Sequence, residues 1–216
     1  MIQEHRSLSL AEQVFERLEN EILSGKYPIG EVLTEMKLAA DLGVSRTPIR
    51  EALHRLEAEH LIEIGSKGIL IVGVSRQDLA DIFAVRAAVE GLAARTAAER
   101  ITDEELVQLR EALELQEFYV PRNDPDHVRS MDSRFHSLLY RASGSTVLED
   151  VLLPLHRKVQ KYRRASVSNH ERAVASAAEH RQIFEAIAAH DADGAERATR
   201  QHIENAASHI LKAYAE

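Results

Sequence analysis

Arg46 and Arg50 lie four residues apart in the stretch LAADLGVSRTPIREALHRL at residues 38–56. At that spacing both side chains project from one face of a helix. A guanidinium can grip guanine O6 and N7 with two hydrogen bonds, so the pair suits reading of base edges in the DNA major groove. Ser45 and Thr47 place hydroxyls at the start of the same helix, where free backbone N–H groups attract phosphate. A second set lies downstream. Asp132 and His136 are also four apart, among the apolar Met131, Phe135, Leu138 and Leu139. The spacing predicts a buried carboxylate and imidazole, which need a partner. His180 and His202, on later helices, could supply it, because inward-facing residues of a bundle meet at its axis. One carboxylate and three neutral imidazoles make a ligand set for a divalent ion such as Zn2+ or Ni2+. An Asp-x3-His pair alone is a common helix pair, and His54, His127, His156, His170, His190 and His209 read as ordinary surface or core residues.

The elements that position these groups can be read from periodicity. The helical pattern of Leu38, Ala39 and Leu42 breaks at Gly43 and resumes with Ser45 as N-cap and Pro48 in the first turn. Ile49, Leu53 and Leu56 fall opposite the arginines, so the segment predicts a helix-turn-helix. A helix over residues 10–24 with Val14, Leu18 and Ile22 as its stripe precedes it, stopped by Gly25 and the Tyr27–Gly30 turn. IEIGSKGILIV at 62–72 reads as two short strands around Gly65–Gly68, a wing with Lys67 at its tip. Together these predict a winged helix over about residues 8–72, with Val74-Ser75 as a linker. Ser75 with Asp78 opens a helix to Arg100, and Thr102 with Glu105 forms a capping box for one reaching Tyr119. After a loop at 121–125, helices are expected over 126–143, 145–167 (kinked at Pro154), 169–190 and from 194 to Tyr214. The predicted fold is all-α with a small β wing: residues 1–74 a winged helix-turn-helix, residues 75–216 a six-helix antiparallel bundle.

Composition agrees. Hydrophobic residues make up 44% and aromatics 5% of 216 residues, with 5 prolines and 9 glycines, which favours helices packed on helices. There is no cysteine, which excludes disulfides and thiolate chemistry and leaves a reducing compartment unopposed. The first residues show no signal-peptide pattern and no apolar run reaches the ~18 residues of a membrane span, so a cytoplasmic protein is expected. The net charge of −8 is shared evenly: residues 1–74 hold 8 Lys/Arg against 12 Asp/Glu, and the rest 19 against 23. Phosphate contacts must therefore come from a few locally placed cations.

GVSRTPIREAL at Gly43–Leu53, with the Pro28-Ile29-Gly30 turn before it, closely resembles the DNA-reading domain of the GntR family of bacterial repressors. The remainder resembles the FCD ligand-binding domain of the FadR subfamily. The resemblance implies DNA contacts at Arg46 and Arg50, with Ser45, Thr47 and, in the wing, Gly68. Two positions depart from the pattern. Met36 stands where some relatives have a contact arginine, with Lys37 beside it, and His60 replaces a glycine that ends the recognition helix. The resemblance also implies a metal held by Asp132, His136, His180 and His202, and a small carboxylate effector facing Arg86, with Asn205 a further candidate. It implies a homodimer on a palindromic operator, released when effector shifts the DNA heads. Two alternatives stay open. A helical metallohydrolase would need a general base beside the metal, and no glutamate stands out near the four ligands. The metal could instead be a structural brace, or itself the signal.

Overall fold

The computed structural model describes the backbone of residues 9–167 and 170–213, and their side chains apart from residues 160–167 and 213. The chain divides into two compact units between Ser75 and Arg76.

The first unit contains α1 (Leu10–Leu23), β1 (Val32–Leu33), α2 (Glu35–Leu42), α3 (Arg46–Ala58), β2 (Ile62–Gly65) and β3 (Gly68–Ile71). Ser9 caps α1 by accepting from Glu12 N–H, and Thr34 caps α2 by accepting from Lys37 N–H. α1 packs on α3, burying Val14, Phe15, Leu18 and Ile22 with Ile49, Leu53 and Leu56. The left-handed Gly43 (φ 66°) turns the chain between α2 and α3.

The sheet holds one strand more than periodicity suggests. β1 pairs antiparallel with β3 (Val32 opposite Leu70, Leu33 opposite Ile69), giving the order β1-β3-β2. Two residues are too few to show the alternation that marks a strand. The extra strand explains Gly68. Its φ is 128°, and a Cβ there would lie 2.5 Å from the Leu33 carbonyl oxygen. Gly65 pairs with Gly68 across the hairpin, and Lys67 stands exposed at its tip.

Glu59 is the C-cap of α3, followed by His60 at φ 58°. Leu61 N–H donates to Leu56 O (3.0 Å) and His60 N–H to Glu57 O (2.9 Å), a closure that normally recruits glycine. His60 carries the left-handed strain of a side chain with a Cβ. His60→Gly is expected to stabilise the unit by about 1 kcal/mol; a lower thermal midpoint would contradict this.

The second unit comprises α4 (Arg76–Arg100), α5 (Asp103–Tyr119), α6 (Pro125–Ala142), α7 (Thr146–Val167), α8 (His170–Ala188) and α9 (Ala192–Ala213), with a 3-10 turn at Val120–Arg122. α5 opens with both halves of the Thr102–Glu105 capping box. α6 starts at Pro125, one residue earlier than expected, because Asp124 caps it by accepting from His127 N–H. α7 runs through Pro154. The expected helix ends at Asn169 and Tyr214 lie outside the described residues. α4 packs on α9, where a Cβ at Gly91 would lie 2.9 Å from Arg200 Cγ, and Ala93, Ala94, Ala97 and Ala98 of α4 are fully buried. Phe135, Leu139, Tyr140, Leu109, Leu113, Ile183 and Ile187 complete the core. No helix among the described residues is long and apolar enough to cross a membrane.

Candidate functional site

In the first unit, α3 buries one face and exposes the other. Arg46 and Arg50 lie on the exposed face with Thr47, while Pro48 and Ile49 face the core. Ser45 occupies the N-cap position, but its hydroxyl makes no capping hydrogen bond. Of the two donors that a cap can bond, the N3 residue is Pro48, which has no N–H. The expected capping role is therefore replaced by an exposed hydroxyl. Neighbouring α2 supplies Glu35, whose carboxylate accepts from Arg46 Nη2 (2.8 Å) and Arg50 Nε (3.0 Å). These two donors hold Glu35 below the usual carboxylate range, Arg50 contributing most. Met36 is exposed, and Lys37 Nζ pairs with Glu31 (3.3 Å).

In the second unit the four predicted ligands converge. Asp132 and His136 come from α6, His180 from α8 and His202 from α9, each no more than 3% exposed. His180 Nε2 lies 3.3 Å from His136 Nε2, 3.2 Å from His202 Nε2 and 3.7 Å from Asp132 Oδ1. The far side of each ring is held by another helix. His180 Nδ1 is 2.7 Å from Gln116 Oε1 of α5, and His202 Nδ1 is 2.7 Å from Glu179 Oε2. Both partners are acceptors, so both Nδ1 atoms donate and both Nε2 atoms carry lone pairs. Two lone pairs 3.2 Å apart in a buried site repel unless a cation or a proton stands between them. A proton is disfavoured at His202, where burial and then the neighbouring His136, against the pull of Glu179, lower the pKa to about 4. Asp132 adds an anionic oxygen at the same point. The donor set thus fits a divalent cation, with the outer partners that fix ring tautomer and orientation.

A second polar cluster backs His136. Glu90 of α4 takes Arg86 Nε at 2.6 Å, and its other oxygen lies 3.0 Å from His136 Nδ1 without hydrogen-bond alignment. Burial opposes ionisation of Glu90, but Arg86 and then His136 outweigh it and hold the carboxyl far below its usual range. His156 of α7 lies beside Arg86 Nη2 (3.5 Å) and Tyr140 OH (3.4 Å). Glu90, His136 and His156 also have ligand-atom spacing, but Arg86 already supplies the positive charge there.

Arg86, expected to face a carboxylate effector, is buried on α4 and paired with Glu90. Asn205 is half-buried and donates to Glu179 (2.8 Å). His156, read as ordinary, instead joins the polar cluster; nothing in its spacing marks it. Gln116 and Glu179 were missed. Gln116 continues the buried face of Leu109, Ala112 and Leu113, where a polar residue is itself a signal. Breaking the Arg86–Glu90 pair should be costly: Arg86→Met leaves a buried carboxylate without its cation and is expected to lower unfolding free energy by about 3–5 kcal/mol. Urea denaturation checks this, and Arg86→Met/Glu90→Gln should recover most of the loss.

Known proteins are similar to this chain in both units. Residues 10–70 match the bacterial regulatory proteins of the gntR family, and residues 81–205 match the FCD domain. The repressor RspR of Escherichia coli (strain K12) is 28% identical over 194 residues, 89% of this chain and 85% of that protein. The gluconate operon transcriptional repressor of Bacillus licheniformis is 32% identical over 121 residues, 56% of this chain and 50% of that protein. Among solved structures, E. coli McbR/YncC superposes with a TM-score of 0.75 at 22% identity, covering 96% of this chain and 100% of that one. The chain belongs to the GntR family of DNA-binding transcriptional regulators, with an FCD domain as its second unit.

Proposed function

We propose that this regulator is a repressor whose hold on a palindromic operator is set by a small organic acid bound beside a divalent cation in the helical unit. Asp132, His136, His180 and His202 would hold the cation, Zn2+ or Ni2+ by ligand type. A bound cation supplies Lewis acidity and open positions for a carboxylate. The observation that carries this reading is the pair of lone-pair-bearing Nε2 atoms 3.2 Å apart, each turned inward by an acceptor behind its ring. Arg86 would face the acid, with Asn205 acting through Glu179 on His202. A relative named for a gluconate operon, gluconate being a sugar acid, agrees with this ligand class. Arg46 and Arg50 would read bases, Ser45 and Thr47 phosphate at the helix start, and Lys67 and Gly68 the wing contact. A cytoplasmic homodimer would present two such heads, one to each half-site. Calorimetry of Zn2+-loaded protein against hydroxy, keto and dicarboxylic acids tests the effector. Saturable binding of one of them, lost in His202→Ala, is expected; no heat with any would refute the effector reading.

The near-complete burial of all four ligands also favours a second reading, in which the cation is only a brace. In that case chelation would lower the thermal midpoint and leave DNA preference unchanged.

A further inference from the structure

We infer that Glu35 is a positioning residue that sets how strictly this protein discriminates its own site from other DNA. The inference rests on Arg46 and Arg50 being the base-reading pair. Glu35 begins α2, and its carboxylate is shared by both arginines: Arg46 Nε and Nη2 at 3.2 and 2.8 Å, Arg50 Nε at 3.0 Å to each oxygen. The three side chains are 30–56% exposed. Ion pairs this open add little to stability, so a structural purpose is a weak account of four hydrogen bonds converging on these two residues.

Two consequences follow from the atoms used. Arg50 gives Glu35 only its Nε, so both terminal nitrogens, the ones that fork onto O6 and N7, keep their freedom to reach a base. Glu35 can therefore hold the guanidinium from behind while its front reads. The carboxylate also cancels one of the two positive charges on the exposed face of α3. In a unit whose acids already outnumber its bases, that suppresses indiscriminate attraction to phosphate. Positioning favours the correct sequence, and charge cancellation disfavours all others.

The test uses the full-length protein with two DNA probes: a random-sequence duplex, and a duplex enriched from a random library by the unmodified protein. Glu35→Gln keeps the size and removes the charge. It is expected to tighten binding to the random duplex about threefold and to steepen its logarithmic salt dependence by about one charge per head. Affinity for the enriched duplex should fall at least fivefold. Glu35→Asp keeps the charge but is one methylene too short to span both arginines; it should retain the salt dependence and still lose preference. Equal changes on both probes with an unchanged salt slope would mean that Glu35 only supports the fold, and would overturn the proposal. Unchanged binding to both would do the same. If Arg50→Ala still binds the enriched duplex normally, the underlying assignment of α3 fails instead.

Discussion

Arg50→Ala is expected to weaken binding to the enriched duplex at least a hundredfold while leaving folding and metal content unchanged. Each two-pronged arginine–guanine contact separates right from wrong bases by about ten- to hundredfold, and the proposed two-headed dimer would lose two of them. The arginine is more than half exposed, so its loss opens no buried cavity. The carboxylate it leaves behind, Glu35, still has Arg46 as partner. A gel-shift titration reads the result. Affinity within a factor of two of the unmodified protein would show that α3 does not read DNA through this residue.

His180→Ala should have the opposite pattern. Its Nε2 is the atom nearest His136, His202 and Asp132, so its removal takes out the centre of the proposed set. Structural metal sites draw their affinity from all four ligands together, so a loss of about a hundredfold or more in Zn2+ affinity is expected, measured by competition with a chromophoric chelator. Phe135 stacks on the same ring at 4.5 Å, so some thermal stability is lost as well. Circular dichroism of the metal-free variant separates the two effects. Retained Zn2+ stoichiometry and affinity would remove the imidazole cluster from the account.

The difference between what the sequence disclosed and what it hid follows from how far each signal reaches. The recognition helix was legible because its information is local: a glycine turn, a proline in the first turn and arginines at helical spacing all lie within eight residues, Gly43 to Arg50. The meeting of Asp132 and His136 with His180 and His202 was legible because a carboxylate and an imidazole in an apolar helical stretch must find partners. β1 was missed because two residues carry no period, and Gly68 looked like a wing contact when its conformation is also dictated by Leu33 passing alongside. Ser45 makes no capping bond, and the proline three residues on removes one of the two donors it could have used. The outer partners Gln116 and Glu179 orient rings contributed by α8 and α9, and His156 reaches Arg86 from a helix 70 residues away. Such pairings depend on how six helices pack, which no local pattern contains. Glu35 is intermediate: one turn of sequence puts it at a helix start, but only the fold brings it to both arginines.

The most direct test is fluorescence anisotropy of the enriched duplex with Zn2+-loaded protein, titrated with whichever acid calorimetry shows to bind. The account predicts a change in DNA affinity of at least fivefold, the lower range for energetic coupling between two sites, and no such change in His180→Ala. An unchanged dissociation constant with the acid demonstrably bound would contradict it.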